Sequence, residues 1–263
     1  MDFAQAVLLG AIAGFTIYIG LPLGRLKVIS DKARSFLSMI SAGIILFLLY
    51  DIFIHLEEPI EQALKAAGAG QGSYTDFIAL AAIFAAGLGI GLLGLLAFEG
   101  RFMRAQGASG QAAMTPTRLA LMIAIGLGLH NFSEGLAIGQ SAGSGAIALA
   151  LLLIIGFGLH NATEGFGIIG PLAGQQPSWG FIGLMGLIGG GPTFLGTMIG
   201  YSVVSTPISV LFLALAEGAL IYVLAELLHV NRRPGLKLIG GAGLLTGFML
   251  AFLTDMLLVY AGA

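Results

Sequence analysis

The sequence predicts an all-α integral membrane protein, a bundle of eight transmembrane helices with both termini extracytoplasmic. Three observations carry that prediction. Of 263 residues, 57% are hydrophobic and only 9% charged, with mean hydropathy +0.99. Soluble domains carry about 25% charged residues, so this chain cannot cover its surface in water. Apolar runs of roughly 20 residues, enough to cross a bilayer as helix, recur along the whole length. Finally, the eleven Lys and Arg residues are distributed very unevenly between the connections.

The first span is expected over 3–23, within MDFAQAVLLGAIAGFTIYIGLPLGRLK. Its basic residues follow the apolar run instead of preceding it, which predicts a retained span and not a cleaved signal peptide. The second is expected over 36–56, after Lys32 and Arg34. Beyond it lie Glu57, Glu58, Glu61 and Asp76, read as an acidic outer loop that is either simply solvated or a weak funnel for cations. The third, over 76–98, and the sixth, over 180–203, contain the runs GLGIGLLGLLAFEG and GLMGLIGGGPTFLG, in which small residues let backbones approach closely. The fourth and fifth, over 119–141 and 145–170, are joined by a very short connection and must run antiparallel and adjacent. The seventh and eighth are expected over 207–229 and 238–261, with Trp179 and Tyr260 suited to the interfacial belts.

Eight spans place Arg25, Lys27, Lys32, Arg34, Arg101, Arg104, Arg118, Arg232, Arg233 and Lys237 on one side, leaving only Lys65 opposite. Positive residues stay cytoplasmic, so both termini face outward. A missed or extra span would scramble this pattern. The connections are short, and residues 1–263 read as a single membrane domain. The chain has no cysteine, which excludes disulfides and thiolate ligands; any bound metal must accept nitrogen and oxygen donors.

Within this hydrocarbon-like sequence, GLHNFSEG at 128–135 is nearly repeated as GLHNATEG at 158–165. His130 and Glu134 stand at i and i+4 and share a helix face, with Asn131 on its flank; His160, Asn161 and Glu164 repeat the arrangement. Both trios fall near mid-membrane, where an ionisable side chain costs roughly 2.5–3.5 kcal/mol. A divalent cation compensates that cost most directly, because it neutralises both carboxylates and takes neutral imidazoles as ligands. A polar cluster that merely joins helices would not need two carboxylates. Polar segments repeated in opposite sense and meeting at the midplane are how many secondary transporters build their substrate site as an inverted repeat.

HNFSEGLAIG and HNATEGFGI resemble the fourth and fifth helices of the ZIP (Zrt-/Irt-like) family of divalent metal transporters, which carries an HN-x-PEG-like motif on each. EGALIYVLAEL at 217–227 resembles the family's seventh helix. The resemblance implies a binuclear metal centre with ligands at His130, Asn131, Glu134, His160, Asn161 and Glu164. It also implies a homodimer, and movement of a transport bundle against a scaffold bundle.

The chain departs from the family pattern in three places. Ser133 and Thr163 replace the proline before each glutamate, so the helices lose a kink unless these hydroxyls bond back to the preceding turn. On the sixth helix, Gly191 stands in GGGP where many relatives have a glutamate. On the seventh, Glu217 stands where the family usually has a small residue. The exchanged carboxylate either keeps the charge of a second metal position or forms a different one. Otherwise that position is lost and Glu217 is protonated or bonded to a neighbouring helix.

Lesser candidates lie along the route. Asp51 and His55, at i and i+4 with Glu58 one turn on, form either an entrance station for metal or a hydrated helix end. Glu226 and His229, at i and i+3, form either an exit station or an interfacial pair beside NRRPG. Asp255 has no assigned role. The resulting expectation is a multi-pass protein of the cell (plasma or inner) membrane, carrying a divalent transition metal into the cytoplasm by alternating access. Zinc is the first candidate, with ferrous iron, manganese and cadmium chemically admissible; no organic cofactor or nucleic acid is expected. The alternatives are a membrane-embedded metalloenzyme with Glu134 or Glu164 as base, and a metal sensor or structural bundle. Flux into sealed liposomes separates them.

Overall fold

The computed structural model describes residues 1–25, 27, 30–105, 115–203, 205–232 and 235–261. Arg233, used above for orientation, lies outside them. The described residues are all-helical, and eight helical segments are long and apolar enough to cross a membrane.

The first span is built from three pieces, α1 (Phe3–Phe15), α2 (Ile17–Gly20) and a 3-10 turn over Leu21–Arg25. The break has an identifiable cause. The Thr16 hydroxyl lies 2.6 Å from the Ala13 carbonyl and 2.6 Å from that of Gly158, so it competes with the helical ladder. Pro22 then removes a backbone donor. At the start, Asp2 caps α1 through the Gln5 amide and Gln5 returns the bond to Asp2, a reciprocal capping box.

The second span lies in α3 (Asp31–Gly68), capped by Ser30. Its 38 residues extend about 57 Å, against a hydrocarbon core of about 30 Å. Glu57, Glu58 and Glu61 therefore stand on a projecting helix, not in a loop as expected. Intrahelical partners on its exposed face sustain it: Lys65 to Glu61 at 2.7 Å and Gln62 to Glu58 at 3.0 Å. Hydropathy ends at the membrane surface, but helix propensity does not.

The remaining helices are α4 (Tyr74–Ala105), α5 (Pro116–Gly143), α6 (Ile147–Ile169), α7 (Trp179–Ser202), α8 (Thr206–Val230) and α9 (Lys237–Ala261). Thr115 caps α5 with Pro116 in the first turn, and Ser178 caps α7. Two packing groups emerge. Helix α5 lies chiefly on α7, with α1 and α6 beside them, while α3 lies on α9 and α4 on α8. The groups meet where α5 crosses α8 and where α3 and α9 touch α6.

The α5–α7 seam is a backbone-to-backbone contact. Gly135 and Gly139 lie against the carbonyls of Thr193 and Thr197, and Gly196 and Gly200 lie against those of Phe132 and Leu136. A β-carbon at any of the four would overlap the facing chain, so only glycine permits this approach. The seam fixes α5, and with it half of the polar cluster.

Contacts at the two ends establish the antiparallel order. Tyr201, near the end of α7, donates to the Met1 carbonyl at 3.1 Å and meets the Phe3 ring edge-on at 5.4 Å. At the opposite end, Arg25 donates to the Pro177 carbonyl and lies 4.8 Å over the Trp179 ring. Exposed apolar side chains, among them Leu8, Ile12, Ile90, Leu93, Leu184 and Leu253, surround the bundle as a lipid-compatible girdle.

Candidate metal centre

Both polar trios are buried where α5 and α6 face each other. Glu164 and Asn161 are fully inaccessible, and His130, Glu134 and His160 are nearly so. The Nε2 atom of His130 lies 3.4 Å from Glu134 Oε1 and 4.0 Å from Glu164 Oε1, and His160 Nε2 lies 3.6 Å from the same Glu164 oxygen. Glu164 thus stands between the two imidazoles, whose ring centres are 6.1 Å apart. One donor atom each from His130, His160 and Glu164 falls within a 4.8 Å sphere of mutual separation.

These separations exceed the 2.7–3.2 Å of a hydrogen bond. The two intrahelical distances, 3.4 and 3.6 Å, are close to the ~3.4 Å edge of a tetrahedron whose centre is about 2.1 Å from each donor, the spacing zinc takes with nitrogen and oxygen. Among the described residues, both ring nitrogens of His130, His160 Nε2, Glu134 Oε2 and Glu164 Oε1 have no hydrogen-bond partner. A buried unsatisfied polar atom costs roughly 1–3 kcal/mol. A cation at the centre of the cluster would satisfy several at once.

The two asparagines tie the trios to different helices. Asn131 donates from Nδ2 to Glu164 Oε2 at 2.8 Å and to the Gly189 carbonyl of α7 at 3.0 Å. It ties Glu164 of one trio to the helix carrying the other. Asn161 donates to the Ala13 carbonyl at 3.1 Å, three residues before the break at Thr16, and its side chain also reaches Glu134. The side-chain oxygens of both are buried without a partner, and so are available as further donors. Of the two residues that replace the motif proline, Thr163 bonds back to the His160 carbonyl at 2.7 Å, while the Ser133 hydroxyl has no partner among the described residues.

The cluster forms the base of a cavity of about 390 Å³. Its wall includes His130, Glu134 and His160, and it continues past Ser133 and Gln140 to Asp51, His55 and Asp255. Asp51 and His55 are therefore brought to the same cavity as the trios, with His55 Nδ1 3.6 Å from Asp51 Oδ1. Glu58 is not, being paired with Gln62 on the projecting part of α3. Glu226 and His229 stand at the far end of α8, apart from the cavity, His229 exposed and Glu226 in contact with neighbours. On the other side of the cluster from the cavity, Ile123, Leu127 and Leu220 are fully buried in an apolar core.

Several wall residues carried no functional assignment in the sequence. Ser133 and Gln140 share the α5 face of His130 by helical spacing, a signal that was present. Asp255 comes from the last helix, and only the tertiary fold brings it to Asp51. At Gly191, a β-carbon would meet only the Leu187 side chain of its own helix, at 3.4 Å, so no atom of the His–Glu cluster lies within contact range of that position.

The family model described as the ZIP zinc transporter matches residues 99–255, a stretch containing both trios, Gly191 and Glu217. No curated protein matches the chain.

Proposed function

Because the chain belongs to the ZIP zinc transporter family, we propose that it carries zinc into the cytoplasm through the His–Glu cluster by alternating access. The observation that carries this reading is the set of buried, unpartnered imidazole and carboxylate atoms at the base of a polar-walled cavity. His130, Glu134, His160 and Glu164 replace the ion's water shell, with Asn131 and Asn161 offering amide oxygens. Two carboxylates neutralise one divalent ion, so the two trios and their ion together carry no net charge in the low-dielectric middle of the membrane.

Asp51, His55 and Asp255, higher on the same wall, pass the ion inward from the acidic end; Glu226 and His229 lie on the exit side. The inner seal is the apolar layer of Ile123, Leu127 and Leu220, so the conformation corresponds to a site open toward the outside. Release follows from competition between metal and protons for the same lone pairs. A transport rate indifferent to an imposed pH gradient would remove that step. The distribution of Lys and Arg supports a cell-membrane protein with outward termini. The family resemblance supports a homodimer, which native mass spectrometry in lipid discs would test.

Sealed liposomes provide the main experiment. Purified protein should accumulate zinc inside, and His130→Ala should abolish accumulation. Binding without flux would identify a sensor or a structural bundle instead, and turnover of an added substrate would identify an enzyme.

A further inference from the structure

One buried carboxylate has no part in that mechanism. Glu217 stands mid-way along α8, is only 7% exposed, and its Oε2 atom has no hydrogen-bond partner among the described residues. An isolated carboxylate in such surroundings is strongly disfavoured, so its presence calls for a partner.

Its position identifies one. Helices α5 and α8 cross with antiparallel sense, and two contacts set their register. A β-carbon at Gly126 would meet Leu220 Cδ2 at 2.9 Å, and the rings of Phe132 and Phe212 lie 4.1 Å apart. One turn along α5 from Gly126 toward Phe132 is His130; one turn along α8 from Leu220 toward Phe212 is Glu217. The two side chains thus occupy the same depth, and the His130 imidazole acts electrostatically on the Glu217 carboxylate. The helical face agrees: Ser209 and Leu213 line the cavity, and Glu217 continues that series at i+4 and i+8.

We propose that Glu217 is a further metal ligand, a carboxylate supplied to the His130 side of the centre from α8. The inference rests on the His–Glu cluster being the transport site. It assigns this chain a third carboxylate, where the corresponding family position on the sixth helix is Gly191. It also makes the coordination depend on how the bundles stand. The other ligands ride on α5 and α6, whereas Glu217 belongs to the group in which α4 lies on α8. If α5 slides along α8, the ion loses one oxygen donor without any change within the trios.

The test is zinc binding by the full-length protein in lipid nanodiscs, with zinc chloride as probe, alongside zinc-edge X-ray absorption and liposome uptake. Glu217→Gln should weaken binding at least tenfold, remove one oxygen from the metal's nearest neighbours, and raise KM more than it lowers kcat. Glu217→Asp, which keeps the charge, should recover part of the affinity and guards against a folding defect in the first variant. If Glu217→Gln binds within twofold of the parent with an unchanged absorption spectrum while Glu164→Gln does not bind, Glu217 is not a ligand although the site stands. If Glu164→Gln and His130→Ala also bind normally, the transport site itself is misassigned.

Discussion

Replacing Asn131 with alanine tests how the proposed metal centre is assembled. The amide bonds Glu164 Oε2 at 2.8 Å and the Gly189 carbonyl at 3.0 Å, and so fixes which way Glu164 Oε1 points between the two imidazoles. A hydrogen bond to a charged group is worth about 1.5–3 kcal/mol, and loss of an outer partner of a metal ligand typically costs 10–100-fold in affinity. At 1.4 kcal/mol per decade the two scales agree, so Asn131→Ala should weaken zinc binding roughly ten- to hundredfold. Calorimetric titration of the purified protein against zinc, with a competing chelator, would measure it. Asn161→Ala is the companion variant, because its amide goes to the Ala13 carbonyl and its side chain also reaches Glu134. It should lower both thermal stability and affinity. If Asn131→Ala binds zinc within twofold of the parent, Asn131 does not act through Glu164 in the way its contacts indicate.

Three other outcomes are expected. Zinc at a hundredfold excess over its Kd should stabilise the folded protein by about 2.7 kcal/mol, seen as a raised Tm that chelation reverses; His130→Ala should show no such shift. Gly135→Leu should destabilise by at least 1–3 kcal/mol, the usual range for overpacking, since its side chain would collide with the Thr193 backbone; a normal melting curve in detergent would contradict the seam. The double change Asp51→Asn with His55→Ala should raise KM for zinc uptake severalfold while leaving equilibrium affinity nearly intact, because those groups line the cavity above the cluster. Equal losses in both quantities would place them in the binding site proper.

Much of this architecture was legible because a bilayer imposes a simple rule on sequence. Long apolar runs must be helices, and a doubled polar trio inside them demands compensation. The i, i+4 pairs His130–Glu134 and His160–Glu164 were readable for the same reason, since helical geometry alone puts them side by side. The features that escaped depend on other physics. The continuation of α3 through Glu57, Glu58 and Glu61 is maintained by local side-chain pairs in water, to which a hydropathy profile is blind. The break at Thr16 comes from a hydroxyl that reaches the Gly158 carbonyl, a contact between residues far apart in sequence. Asp255 joins Asp51 only because α9 lies on α3. The main-chain partners of Asn131 and Asn161 were also hidden: identical motif positions reach the Gly189 carbonyl of α7 in one case and the Ala13 carbonyl of α1 in the other.

The connection between α5 and α6 carries a further consequence. Only residues 144–146 separate Gly143 from Ile147, with Gly145 making the turn at φ +84°. Both trios are therefore handcuffed within one hairpin, too tightly linked for either arm to travel alone. Whatever carries the cargo across must shift this cassette whole or leave it whole. Six of the proposed ligands can thus be altered by editing a single contiguous stretch of chain.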